Sequence, residues 1–307
     1  MINSGVSGRG SPPFLRRRPP EGRPSVGTVR GHADTGGVAR PDLHFLGHST
    51  VRVELAGRTV LTDPLLADTV GLLRRVVPLP DPATWAGVDV VVISHLHGDH
   101  LHLPSLRTVG PSTRIVVPRG AGAWLRGRGF PNVSELSAGE TLTDGGLHIT
   151  GVRAEHSGHR LGPRLTHGPA TESLGYLLEG AGSSVYFSGD TGLFEGMAVL
   201  AKRAVDVALL PVWGWGPNLG PGHLDPVTAA DATALIRPRI VVPVHWGTLA
   251  VAGLTSLPTP LRGRMRRLLV DPPRSFAAEV TARGLDARVV VTDPGQPVVL
   301  TAPAAAA

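Results

Sequence analysis

Apolar residues along this chain gather in short runs, and four of those runs close on residues that bind metals. The first, Val90-Val91-Val92-Ile93-Ser94, leads directly into His95-Leu96-His97-Gly98-Asp99-His100. The others are Ile149 to Ala154 before Glu155-His156, Val185-Tyr186-Phe187 before Ser188-Gly189-Asp190, and Ile240 to Val244 before His245. Runs this short, rich in β-branched residues and without a 3.6-residue period, predict buried strands. Strands that finish on His or Asp bring those side chains to one rim of a sheet, where sites in α/β proteins form.

Other elements follow from turn chemistry. Leu43 to Leu46, Val51 to Leu55 and Thr59 to Thr62 are predicted strands of an antiparallel meander, the last two joined at Ala56-Gly57. Asp144-Gly145-Gly146 and Gly180-Ala181-Gly182 are predicted hairpin turns. A short helix is predicted over Ala121 to Arg128, after Ile115-Val116-Val117. A better helix opens at Asp225-Pro226, where Asp caps and Pro fits the first turn, and runs to the break at Pro238. The last predicted helix covers Ser275 to Arg283, followed by strands near Val289 to Val291 and Val298 to Leu300. Two groups of strands followed by helices suit two sheets packed face to face with helices outside.

Composition narrows the chemistry. The 307 residues contain no cysteine, so disulfides and thiolate metal sites are excluded and any metal falls to His, Asp or Glu. Of the net charge of +6, the first 40 residues hold +5, from seven Arg against Glu21 and Asp34. The remainder is nearly neutral, which argues against a nucleic-acid partner. Residues 1–40, rich in Gly, Pro, Ser and Arg and without a hydrophobic period, are expected to be a disordered tail. Residues 302–307 are expected to fray. No apolar run approaches the roughly 20 residues of a membrane span, and Pro19-Pro20-Glu21-Gly22 stand where an export signal would turn apolar after Arg16-Arg17-Arg18. The expected location is the cytoplasm; the sequence assigns no oligomeric state.

Imidazole nitrogen and carboxylate oxygen suit zinc-type ions, and a tight His-X-His-X-Asp-His turn can serve two of them. His95 and His97 reach one ion with His156; Asp99 and His100 reach the other with His245. Asp190, with two oxygens, is placed to bridge. The expected cofactors are therefore two divalent metal ions, zinc first and manganese second. Water-derived hydroxide between two such ions is a nucleophile at neutral pH, and the expected substrate is a small molecule.

His95, His97, Asp99, His100, His156, Asp190 and His245, in this order and local context, resemble the metallo-β-lactamase superfamily over about residues 41–301. Within it, Phe45-Leu46-Gly47-His48-Ser49-Thr50-Val51, Leu61-Thr62-Asp63-Pro64 and His223-Leu224-Asp225-Pro226 resemble the branch of L-ascorbate-6-phosphate lactonase and N-acylphosphatidylethanolamine phospholipase D. The resemblance implies an α/β fold, a four-layer αββα sandwich, and a hydrolase. Phosphodiester hydrolysis and sugar-phosphate lactone opening both stay open, as does a non-catalytic metal-binding scaffold. Asp63 matches an aspartate that stands beside the ligands and can fix a histidine tautomer, or it is a turn residue before Pro64. His48 faces the site or makes a structural hydrogen bond. His223 matches a histidine near the metals that polarises substrate or protonates the leaving group; its other reading is a helix-entry histidine without chemistry. Trp213 and Trp215 either wall a pocket or pack. Glu155 and Ser157 stand where the phospholipase relatives carry aromatic residues, which weakens the case for that lipid. The 55 positions from Asp190 to His245 leave no room for the extra domain of RNA-processing members. His32, His44, His102, His148, His159 and His167 are read as ordinary surface or core residues.

Overall fold

The computed structural model describes residues 40–160, 168–213, 220–253 and 259–301. The apolar runs form strands; Val90–Val92 and Ser183–Phe187 are buried throughout and Ile240–Val244 nearly so, whereas Leu147–Ala154 alternates, with His148 and Arg153 exposed. In Val90–Val92, alternate side chains divide between two clusters. Val90 and Val92 join Val60, Val116, Ile149, Tyr176 and Val185, whereas Val91 joins Leu61, Ile115 and Val117 beneath Leu106 and Leu125 of the helices Leu103–Val109 and Gly122–Arg126. A strand covered by a second sheet on one side and helices on the other has no polar face, which is why the sequence shows unbroken apolar runs.

Two seven-stranded sheets are seen among the described residues. The first runs Gln296–Pro297, Asp42–Gly47, Thr50–Leu55, Arg58–Thr62, Val90–Val92, Arg114–Pro118, Val133–Leu136. Its first four strands pair antiparallel and the rest parallel. The second runs Arg288–Val289, Ile240–Val244, Val207–Pro211, Ser183–Phe187, Ser173–Gly180, Leu147–Ala154, Thr141–Asp144, with the same division between parallel and antiparallel halves. Helices Pro226–Ile236 and Pro272–Ala282 supply Ala229, Ala230, Ala232, Ile236, Phe276 and Val280 to the second sheet's core. The αββα sandwich expected from the resemblance is the observed fold.

The meander and both glycine hairpins form as expected. Three differences have local causes. The last helix begins at Pro272 instead of Ser275, because a proline in the first turn has no N–H to lose. Of the final strands, the first shortens to Arg288–Val289, and the second forms at Gln296–Pro297, ahead of the expected Val298 to Leu300, both at sheet edges. A third, three-stranded sheet of Thr69–Val70, Leu73–Arg75 and Leu249–Val251, and the Arg-rich helix Thr259–Val270, have no counterpart in the apolar pattern. The expected tails lie outside the described residues, apart from Arg40. No helix among the described residues is long and apolar enough to cross a membrane.

The helix after His223 has a full capping box: Asp225 Oδ1 accepts from Thr228 N (2.8 Å) and Thr228 Oγ1 from Asp225 N (2.9 Å). Asp225→Ala is expected to lower unfolding free energy by about 1 kcal/mol, as cap deletions do. Urea denaturation checks this; an unchanged midpoint would mean the cap contributes nothing.

Candidate metal centre

Every strand-end ligand candidate arrives at the rim between the two sheets. Asp63 follows Arg58–Thr62, the His95 to His100 turn follows Val90–Val92, and His48 follows Asp42–Gly47. From the second sheet come His156 after Leu147–Ala154, Asp190 after Ser183–Phe187 and His245 after Ile240–Val244. The turn closes on itself, His100 N and Leu101 N both donating to His97 O. It is also tied to the second sheet, since Leu174 N donates to Ser94 O (2.9 Å) and the Tyr176 hydroxyl to Ile93 O (2.8 Å).

Hydrogen bonds fix the tautomers of four histidines. His156 Nδ1 lies 2.7 Å from Gly222 O and His245 Nδ1 2.5 Å from Trp213 O; a carbonyl only accepts, so each Nδ1 carries the proton. His100 Nδ1 donates to Asp63 Oδ2 at 2.6 Å. Ser94 Oγ gives its single proton to Asp63 Oδ2 (2.5 Å), so toward His95 Nδ1, at 2.9 Å, it can only accept. A neutral ring so held leaves its Nε2 with a bare lone pair.

These lone pairs face one another. His95 Nε2 and His156 Nε2 lie 3.0 and 3.1 Å from His97 Nδ1. Nitrogens sharing a tetrahedral zinc stand about 3.3 Å apart, by the usual Zn–N lengths. His100 Nε2 and His245 Nε2 lie 3.4 and 3.3 Å from Asp190 Oδ2. His48, Asp99, His100 and His245 make a second group of converging donors. His100 Nε2, His245 Nε2 and Asp190 Oδ1 are buried without a hydrogen-bond partner among the described residues. Buried polar atoms without partners are costly, and a pair of cations would satisfy them. The residues fit the two ligand sets expected from the sequence.

Electrostatics point the same way. Burial, then His100, holds the His95 imidazole well below its ordinary range. Burial and His156 bring His97 down to about 4, and burial also lowers His156. Burial would lower His100 too, but Asp190, Asp99 and Asp63 raise it well above its ordinary value. Burial would raise the Asp99 and Asp190 carboxyls, yet the surrounding imidazoles, His100 first for Asp99 and His245 first for Asp190, hold both low. Neutral His95, His97 and His156 beside ionised carboxylates suit a divalent cation, which at His100 would take the place of the second proton.

The remaining candidates are also placed. Asp63 is fully buried and accepts from Ser94 N as well (2.7 Å), so it is more than a turn residue. His48 sits deeper in the site than its motif suggests: Nε2 is 3.2 Å from Asp99 Oδ2, and its ring centroid is 4.0 Å from that of His245. His48 O accepts from His245 N (2.7 Å), and both residues hold left-handed φ angles, 54° and 62°. Burial and His245 bring His48 down to about 3. His223, at 25 % side-chain exposure, stands at the rim with Nε2 3.8 Å from Asp190 Oδ2. Trp213 is buried against Ala250 and Leu269. His159 is exposed. Trp215, His167 and His32 lie outside the described residues.

Sequence reasoning missed Ser94 and Arg160. Ser94 adjoins His95, and that adjacency was its only signal. Arg160 Nη1 donates to Leu96 O (3.1 Å) and Leu101 O (2.6 Å), bracketing the ligand turn from a distant segment that carries no motif.

The beta-lactamase superfamily domain matches residues 58–246. A UPF0173 metal-dependent hydrolase from Methanopyrus kandleri is 32 % identical over 261 residues, covering 82 % of this chain and 96 % of the relative. N-acyl-phosphatidylethanolamine-hydrolyzing phospholipase D 1 of Caenorhabditis elegans is 29 % identical over 248 residues, 73 % of this chain and 68 % of the relative. The structure of Igni18, a metallo hydrolase from Ignicoccus hospitalis, aligns with a TM-score of 0.63 at 28 % identity, covering 84 % of this chain and 97 % of the other.

The lowered histidines set a stability profile for the metal-free protein. His48, His95, His97 and His156 each take up a proton on unfolding below the ordinary histidine value of 6.5. Their contribution, complete above that value, is lost as pH falls toward about 4, the value of His97. His100, protonated in both states over this window, adds no slope. The melting temperature of metal-free protein is expected to fall between these pH values; a flat profile would contradict the assignment.

Proposed function

The chain belongs to the metallo-β-lactamase superfamily and is a metal-dependent hydrolase, and from that premise we propose a dinuclear enzyme that cleaves a phosphodiester or a related small-molecule ester. In this reading His95, His97 and His156 hold one ion, Asp99, His100 and His245 the other, and Asp190 lies between them. The catalytic domain is assigned to residues 41–301. The observation that carries the reading is the convergence of the Nε2 atoms of four histidines whose Nδ1 atoms are already committed to other partners. Two divalent ions, zinc by preference and manganese as the alternative, supply Lewis acidity and acidify water.

The protein's own groups have separate tasks. Asp99 carries negative charge into the second ligand set, and His48 steadies it from 3.2 Å. Asp63 fixes the His100 tautomer through the 2.6 Å bond to Nδ1. His223 is the proposed proton donor to the leaving group, or the group that polarises the substrate. Its position at the rim, with Nδ1 unpartnered among the described residues, suits a side chain that meets substrate. The phospholipase D relative favours a phosphodiester over a lactone, while Glu155, ion-paired with Arg153 beside His156, argues against that relative's lipid as the substrate.

Elemental analysis of purified protein, with parallel assays on bis(p-nitrophenyl) phosphate and a simple lactone, tests this for wild type and Asp99→Ala. The expected result is near two ions per chain and phosphodiesterase activity reduced at least about 100-fold in the variant, beyond the usual cost of losing an outer hydrogen-bonding partner. Lactone cleavage alone would change the substrate class. Substoichiometric metal without turnover after zinc or manganese is supplied would leave a metal-binding scaffold.

A further inference from the structure

We infer that Ser94 is a positioning residue through which one buried carboxylate, Asp63, governs a histidine of each metal position by unequal routes. Asp63 Oδ2 receives the His100 Nδ1 proton directly at 2.6 Å. The same oxygen receives the Ser94 hydroxyl proton at 2.5 Å, and Ser94 Oγ in turn accepts from His95 Nδ1 at 2.9 Å. His95 belongs to the group with His97 and His156, and His100 to the group with His48, Asp99 and His245. Asp63 therefore acts on one group at first hand and on the other through a hydroxyl.

The hydroxyl has no freedom to do otherwise. Ser94 N donates to Asp63 Oδ1 (2.7 Å), so backbone and side chain of one residue grip both carboxylate oxygens. Ser94 is buried, and a side chain on Gly189 would collide with it: an added Cβ would stand 2.3 Å from Ser94 Cβ and 2.7 Å from Oγ. With its proton committed to a carboxylate, the hydroxyl presents only lone pairs to His95. This forces His95 Nδ1 to keep its proton and bares Nε2 toward His97. Such outer partners orient ligands and raise their basicity. The direct, charged contact to His100 is the stronger of the two.

Two measurements test this, one of them independent of metal. In metal-free protein labelled at the histidine ring nitrogens, long-range proton–nitrogen spectra should report His95 as the Nδ1–H tautomer in wild type and Ser94→Thr, and as a mixture in Ser94→Ala. Zinc competition against a chelator should then show one of two equivalents weakened about ten-fold or more in Ser94→Ala, restored in Ser94→Thr, and both weakened in Asp63→Asn. A His95 tautomer indifferent to the hydroxyl, or Ser94→Ala weakening both equivalents equally or neither, would overturn the inference. The binding experiment rests on the dinuclear reading, whereas the spectra do not. A wild type that binds a single ion would refute that reading and leave the tautomer result to decide this one.

Discussion

The site depends on mutual compensation between buried carboxylates and buried imidazoles. Asp63 and His100 are fully buried and Asp190, His95 and His245 nearly so. An isolated charge in such a place would be driven to neutrality. Here Asp190 and Asp99 stay ionised because the imidazoles of both sheets crowd around them. His95 and His97 stay neutral because burial outweighs the carboxylates' pull, whereas at His100 three carboxylates reverse the balance. The arrangement holds several carboxylates among mostly neutral imidazoles, a donor set that suits a divalent ion.

The sandwich makes this arrangement affordable by confining it to one rim. Strands covered on both faces cannot carry polar side chains along their length, so ionisable groups gather where the strands end. Their partners are then backbone carbonyls, Trp213 O just beyond the strand Val207–Pro211 for His245 and Gly222 O in the loop before the helix Pro226–Ile236 for His156. Left-handed backbone recurs at this rim as it does at turns elsewhere, such as Ala56 and Ala181. Asp63, His48 and His245 all have positive φ, and each of them is a non-glycine residue that turns sharply to face the others.

Much of this was legible in the sequence because it is written locally. The strands that lead to the candidate ligands announce themselves by apolar runs, each candidate follows its strand, and the Asp225-Pro226 cap marks its helix. The crowding of His95, His97, Asp99 and His100 into one turn was legible in the same way, and in the structure His95 and His97 join one group of converging side chains with His156, Asp99 and His100 another with His48 and His245. What escaped was set by contacts distant along the chain. The depth of His48 depends on its bonds to Thr248 and His245, each about 200 residues away. Arg160 reaches the ligand turn only because the segment that follows His156 folds back on it. The small third sheet has strands too short to leave a period, and the Thr259–Val270 helix is so rich in arginine that its apolar stripe is faint.

The bonds from Leu174 and Tyr176 to Ser94 and Ile93 join the two sheets at the base of the ligand turn. Sliding of one sheet over the other would have to break them, within a core that is close-packed on both sides. The spacing between the side chains that converge from the two sheets is thereby tied to the packing of the sheets themselves, and the residues free to vary around it are those of the loops at the rim. Relatives on the same frame can then diverge in what they cleave while the frame itself stays unaltered.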